Sequence, residues 1–72
     1  SKYWIYGLHA SLYALKNLNR HIFKAYLLPK YKESGLFDEI IRRKIPVQEV
    51  GTPWFASGLS CEDAVHQGIA LQ

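Results

Sequence analysis

Residues 21–28, His-Ile-Phe-Lys-Ala-Tyr-Leu-Leu, constrain this chain more than any other stretch. The run reads as a strand apolar on both faces, with Ile22, Tyr26 and Leu28 on one side and Phe23, Ala25 and Leu27 on the other. Such a strand belongs inside a sheet that is covered above and below. Pro29 closes it, because proline cannot donate to the ladder. With 72 residues in all, the chain must therefore fit a sheet and two covering layers into a single domain, residues 1–72.

The flanking segments supply those layers. Residues 3–6 read as a short strand, ended by Gly7. From Leu8 to Lys16, Leu8, Leu12 and Leu15 recur at helical spacing, and Asn17 and Asn19 mark the helix end. A second helix is predicted over 31–44, with Leu36, Phe37, Ile40 and Ile41 as its apolar stripe. Asp38 with Arg42 and Glu39 with Arg43 form acid-first pairs at four-residue spacing on its exposed face. Residues 45–50 read as a third strand, placed at an edge or early in its strand by Pro46. Thr52-Pro53 is a helix start, with a capping hydroxyl followed by proline. Trp54 and Phe55 anchor that short helix, Gly58 ends it, and Ser60 caps a further turn through Asp63. Residues 68–72 make a final strand. Helices alternating with strands imply an α/β fold with a mixed, partly parallel sheet.

Charge is uneven along the chain. The formal net charge is +3, with nine Lys and Arg against six Asp and Glu. Residues 16–44 hold eight of the basic groups and three of the acidic ones, a local +5, whereas residues 45–72 hold three acids and no Lys or Arg. A basic middle segment suits a polyanionic partner, although on charge alone scattered solubilising charge is the commoner explanation. Cys61 is the single cysteine, which excludes an intrachain disulfide and fits a reducing compartment. No apolar run is long enough to span a bilayer, and the start does not read as a signal peptide. The expectation is a cytoplasmic protein, bacterial or from a mitochondrial matrix, with no membrane partner.

Enzyme chemistry finds little support. Cys61 and His66 match no nucleophile–base signature, and a lone cysteine is usually a buried hydrophobe. His9, His21, Cys61 and His66 lack the paired close spacing of a zinc site. No glycine-rich phosphate loop occurs. Neither a catalytic residue, a metal nor a cofactor is expected in this fragment.

Binding chemistry finds more. Gly7 and His9 open the first helix, whose N–H groups can receive a phosphate; a glycine turn with a helix-start histidine is the plainer alternative. His66, Gln67 and Gly68 offer donors and acceptors for a base edge or ribose hydroxyl, or else form an ordinary polar turn. Arg20 can clamp a phosphate, with Asn17 beside it and Lys16 and Lys24 extending the patch. Arg42, Arg43 and Lys44 form a second basic group that a helix end already explains. The tyrosines and tryptophans could stack on unpaired bases, although most belong in the core of so small a chain.

Tyr6-Gly7-Leu8-His9-Ala10, Ala14-Leu15-Lys16-Asn17, Asn19-Arg20 and His66-Gln67-Gly68-Ile69 together resemble the N-terminal substrate-binding domain of the TrmH/SpoU-type RNA 2'-O-ribose methyltransferases. The familiar pattern often has proline after the first helix, where this chain has Leu18. The resemblance implies an L30e-like three-layer α/β/α sandwich, joined in the parent enzyme to a knotted domain that binds S-adenosylmethionine and is absent from this fragment. It implies transfer of a methyl group to a ribose 2'-hydroxyl, usually of guanosine in 23S or other large-subunit ribosomal RNA. It further implies a homodimer formed through that catalytic domain. RNA contact carries over to Gly7, His9, Asn17, Arg20, His66, Gln67 and Gly68. A stand-alone L30e-like RNA-binding protein is the alternative. Another is a protein–protein docking module, which an exposed apolar patch around Trp54 and Phe55 without a basic cleft would favour.

Overall fold

A computed structural model describes residues 4–57 and 67–72. In chain order it holds β1 (Ile5–Tyr6), α1 (Leu8–Lys16), β2 (Ala25–Leu27), a 3-10 turn (Pro29–Glu33), α2 (Gly35–Arg42), β3 (Val47–Glu49), α3 (Thr52–Ser57) and β4 (Ile69–Leu71). The strands form one sheet in the order β1-β4-β2-β3. β4 runs antiparallel to both β1 and β2, and β2 runs parallel to β3. The fold is thus a mixed α/β sandwich, as the strand–helix alternation predicts.

Side-chain alternation sorts the core into two sides. Ala25 and Leu27 of β2, with Ile69 and Leu71 of β4, pack with Leu15 of α1 and Leu36 and Ile40 of α2. Ala70 and the partly buried Tyr26 face the other way, towards Val50 and Phe55, with Trp4, Tyr6 and Trp54 around them. β2 is therefore covered on both faces. β3 sits at the sheet edge directly after Pro46, whose carbonyl accepts the Ala25 N–H at 2.9 Å.

Three expectations change. The strand predicted over 21–28 is regular only from Ala25 to Leu27. Phe23 and Lys24 both direct their N–H groups at the Gln72 carbonyl, at 2.7 and 3.4 Å, so two residues oppose one. A bulge of that kind reverses the sides of the residues beyond it. Ile22 accordingly joins the α1/α2 core, and Phe23 is left half exposed.

The helix predicted over 31–44 is divided. Pro29–Glu33 forms a 3-10 turn, and α2 starts at Gly35 because the Ser34 hydroxyl caps it, accepting the Phe37 N–H at 3.2 Å. Finally, neither four-residue ion pair forms as predicted. Arg42 pairs with Glu39, one turn of the three-residue row away, while Arg43 reaches backbone carbonyls of α1 and its following loop. Thr52 is the first residue of α3 and Pro53 the second. The turn predicted at Gly58 and the cap at Ser60 lie outside the described residues.

Candidate nucleic-acid interface

Among the described residues, the predicted binding residues other than Lys24 gather at the two ends of α1. At its N-terminus, Gly7 has φ 90° and ψ 158°, a conformation in which any Cβ is disfavoured. Its N–H donates to the Ile69 carbonyl at 3.2 Å, tying the helix start to β4. The same turn holds Gln67, at φ 52°, and Gly68, at φ 79°. The Gln67 side-chain oxygen accepts the Leu8 N–H at 2.8 Å, and its backbone carbonyl accepts the Tyr31 hydroxyl at 2.5 Å. Burial pushes the Tyr31 phenol pKa up from its ordinary value. Gly68 is buried, and its carbonyl accepts the Leu28 N–H at 3.0 Å.

This arrangement revises one chemical expectation. The first free N–H of the helix is already met by Gln67, so the terminus is not fully open to a phosphate. The N–H groups of His9 and Ala10 have no partner among the described residues, and both residues are exposed. A ligand here meets those two amides, the His9 imidazole and the Gln67 side-chain NH2. His66 lies outside the described residues.

At the other end of α1, about 14 Å away at 1.5 Å per residue, lie Lys16, Asn17 and Arg20, all exposed. Asn17 ends the helix: its N–H donates to Ala14, and its side-chain oxygen accepts the Asn19 N–H at 3.1 Å. The asparagine oxygen therefore shapes the turn and leaves only the amide NH2 to a ligand. The Arg20 carbonyl accepts from the Arg43 guanidinium at 2.8 Å, while a second nitrogen of the same group donates to the Leu15 carbonyl at 2.9 Å. Arg43 thus fastens the loop after α1 to the end of α2, and the Arg20 side chain has no partner among the described residues.

Lys24 does not join that patch. Its ammonium lies 5.1 Å from the centre of the Tyr26 ring, on the α3 side of the sheet. Tyr13, one of the tyrosines that the sequence offers for stacking without singling it out, is 82% exposed and lines a shallow cleft of about 320 Å³ with Lys16 and Asn17. The signal was present: positions 13, 16 and 17 share one helical face. The other aromatics are mostly structural. Tyr26 stacks on Trp54 at 4.5 Å between ring centres, and Trp4 packs on Tyr6, Tyr26 and Trp54.

Among the described residues no group of His, Cys, Asp or Glu is placed to hold a metal, and no helix is long and apolar enough to cross a membrane. Residues 4–72 match the family model for RNA 2'-O ribose methyltransferase substrate binding, SpoU_sub_bind. No curated protein matches the chain.

Proposed function

We propose a function from one premise: this chain belongs to the family of RNA 2'-O ribose methyltransferase substrate-binding domains, and its residues hold RNA for methylation by a separate catalytic domain. The observation that carries the reading is the pairing of two donor-rich groups at the ends of α1. One offers amides, an imidazole and an amide side chain. The other offers Lys16 and Arg20. Spaced by one short helix, they can hold two points of a folded RNA backbone while leaving base edges open.

In this reading the RNA is large-subunit ribosomal RNA, with a guanosine of 23S RNA as the methylated nucleotide. The methyl donor is S-adenosylmethionine, and the parent enzyme is a homodimer through its catalytic domain, working in the cytoplasm or a mitochondrial matrix. In this reading the methyl donor binds in the catalytic domain, and the lining of two clefts in this chain supports that division. The cleft between residues 18–23 and 43–46 has only cationic charged residues in its lining, and the Tyr13 cleft has a lysine. Neither supplies a carboxylate to accept from ribose hydroxyls or to balance a sulfonium. No step of methyl transfer is assigned to this chain.

The protein-docking alternative loses both of its marks. Phe55 is buried, Trp54 is half-buried against Tyr26, and a basic cleft is present. The test is a fluorescence-anisotropy titration of the chain against a ribosomal RNA hairpin over a range of salt. Contacts by Lys16 and Arg20 predict a slope of log K against log salt of about −1.4 to −1.8. Saturable binding with no salt dependence, or none at low salt, contradicts the reading.

A further inference from the structure

A cleft of about 330 Å³ opens between the loop after α1, residues 18–23, and the loop after α2, residues 43–46. Its charged lining residues are Arg20, Arg43 and Lys44, so three positive charges meet there with no carboxylate among the lining residues. Such a cluster costs self-repulsion and draws an anion. Two of the three are available. Arg43 donates to the carbonyls of Leu15 and Arg20 and ties the two loops of the cleft together. The side chains of Arg20 and Lys44 form no hydrogen bond or ion pair among the described residues.

The cleft also exposes apolar surface where solubility alone would not put it. Leu18 is 76% and Phe23 49% exposed, and the His21 ring stands edge-on to Phe23 at 4.4 Å between centres. The bulge at Phe23 and Lys24 is what turns Phe23 out of the core. An aromatic ring beside unpaired cations is the chemistry that stacks a base and grips its phosphate. The volume lies at the lower end of small-ligand sites, about 300–1,000 Å³. It admits one nucleotide and is too small for a duplex.

We propose that this cleft receives a single unpaired nucleotide of the RNA substrate, with its phosphate on Arg20 and Lys44 and its base against Phe23 and His21. The proposal rests on the RNA-binding reading above and adds to it a preference for RNA with an extruded or unpaired base. Arg20 becomes one wall of a nucleotide pocket, and Lys44 and Phe23 become binding residues.

The test compares two labelled hairpins that differ by one bulged nucleotide, titrated with the chain and with three variants whose folding is checked by circular dichroism. Phe23→Leu keeps apolar volume without a ring, Arg20→Ala leaves the carbonyl that Arg43 holds, and Lys44→Asn tolerates the left-handed backbone at φ 58°. The parent chain is expected to prefer the bulged hairpin by about fivefold or more, the low end of base stacking on an aromatic ring. Phe23→Leu is expected to abolish that preference. Arg20→Ala and Lys44→Asn are each expected to weaken binding and reduce the salt slope by about 0.7 to 0.9.

Equal binding of both hairpins by the parent chain, with Phe23→Leu unchanged, overturns the pocket while leaving RNA recognition standing. Binding to neither hairpin overturns RNA recognition itself. Displacement of the hairpin by micromolar guanosine monophosphate shows a mononucleotide site and overturns the assignment to RNA. Tight binding of a protein partner that Phe23→Leu abolishes, with RNA affinity unaffected, has the same effect.

Discussion

The side-chain oxygen of Gln67 accepts the backbone N–H of Leu8 at 2.8 Å, so a residue 59 positions away caps the first helix. Gln67 thereby couples the turn before β4 to the helix that carries both donor groups. Gln67→Ala removes the acceptor and is expected to lower stability by about 1 kcal/mol, as loss of a helix cap does. Gln67→Glu keeps an acceptor, and its charge suits the helix N-terminus. That variant is expected to fold as stably as the parent chain yet bind RNA more weakly, because it loses the NH2 donor and adds a negative charge. Urea denaturation paired with an RNA titration separates the two effects.

Gly68 has no room for a side chain. A Cβ there would lie 2.5 Å from Leu28 Cδ1 and 2.9 Å from Leu28 Cγ, and the backbone has φ 79°. Gly68→Ala is expected to cost about 2–4 kcal/mol, combining left-handed strain with overpacking. Leu28→Ala removes the clash but not the strain. The double variant should therefore be more stable than the sum of the two single losses allows, which a denaturant double-mutant cycle measures.

Tyr31 gives a pH dependence with a defined sign. Its phenol is protonated when it donates to Gln67, and burial raises its pKa above the ordinary value of 10.0. The unfolded chain loses that proton first as pH rises. The contribution is thus complete below the unfolded value and is lost as pH climbs from there through the folded one. Tyr31→Phe is expected to cost about 1 kcal/mol at neutral pH, the net worth of one hydrogen bond. Its stability should also fall less steeply than the parent's in alkaline solution.

Ser11 is fully buried in α1, and its hydroxyl has no hydrogen-bond partner among the described residues. Ser11→Ala relieves that unmet group and favours the helix. Thermal denaturation is expected to show a gain of about 1 kcal/mol.

Much of this architecture was legible in the chain. The two-sided β2 run announced a covered sheet, and the leucine and isoleucine spacing located α1 and the body of α2. What local pattern could not show were contacts made across the fold. Nothing near Arg43 indicates that it will leave Glu39 for the carbonyls of Leu15 and Arg20. The bulge that exposes Phe23 depends on the register of Gln72 on the neighbouring strand. The candidate binding residues were readable as types. Their division between the two ends of α1, and the separation of Lys24 from Arg20, needed the tertiary structure.

Substrate RNA held at both ends of α1 would perturb two separate groups of amides. Amide chemical-shift mapping during titration with a ribosomal RNA hairpin tests this placement most directly. Saturable shifts are expected in two groups, one at Gly7, His9, Gln67 and Gly68 and the other at Lys16, Asn17 and Arg20, both weakening as salt rises. An intact spectrum with no saturable shifts at low salt, or shifts confined to the α3 side around Trp54, would contradict it.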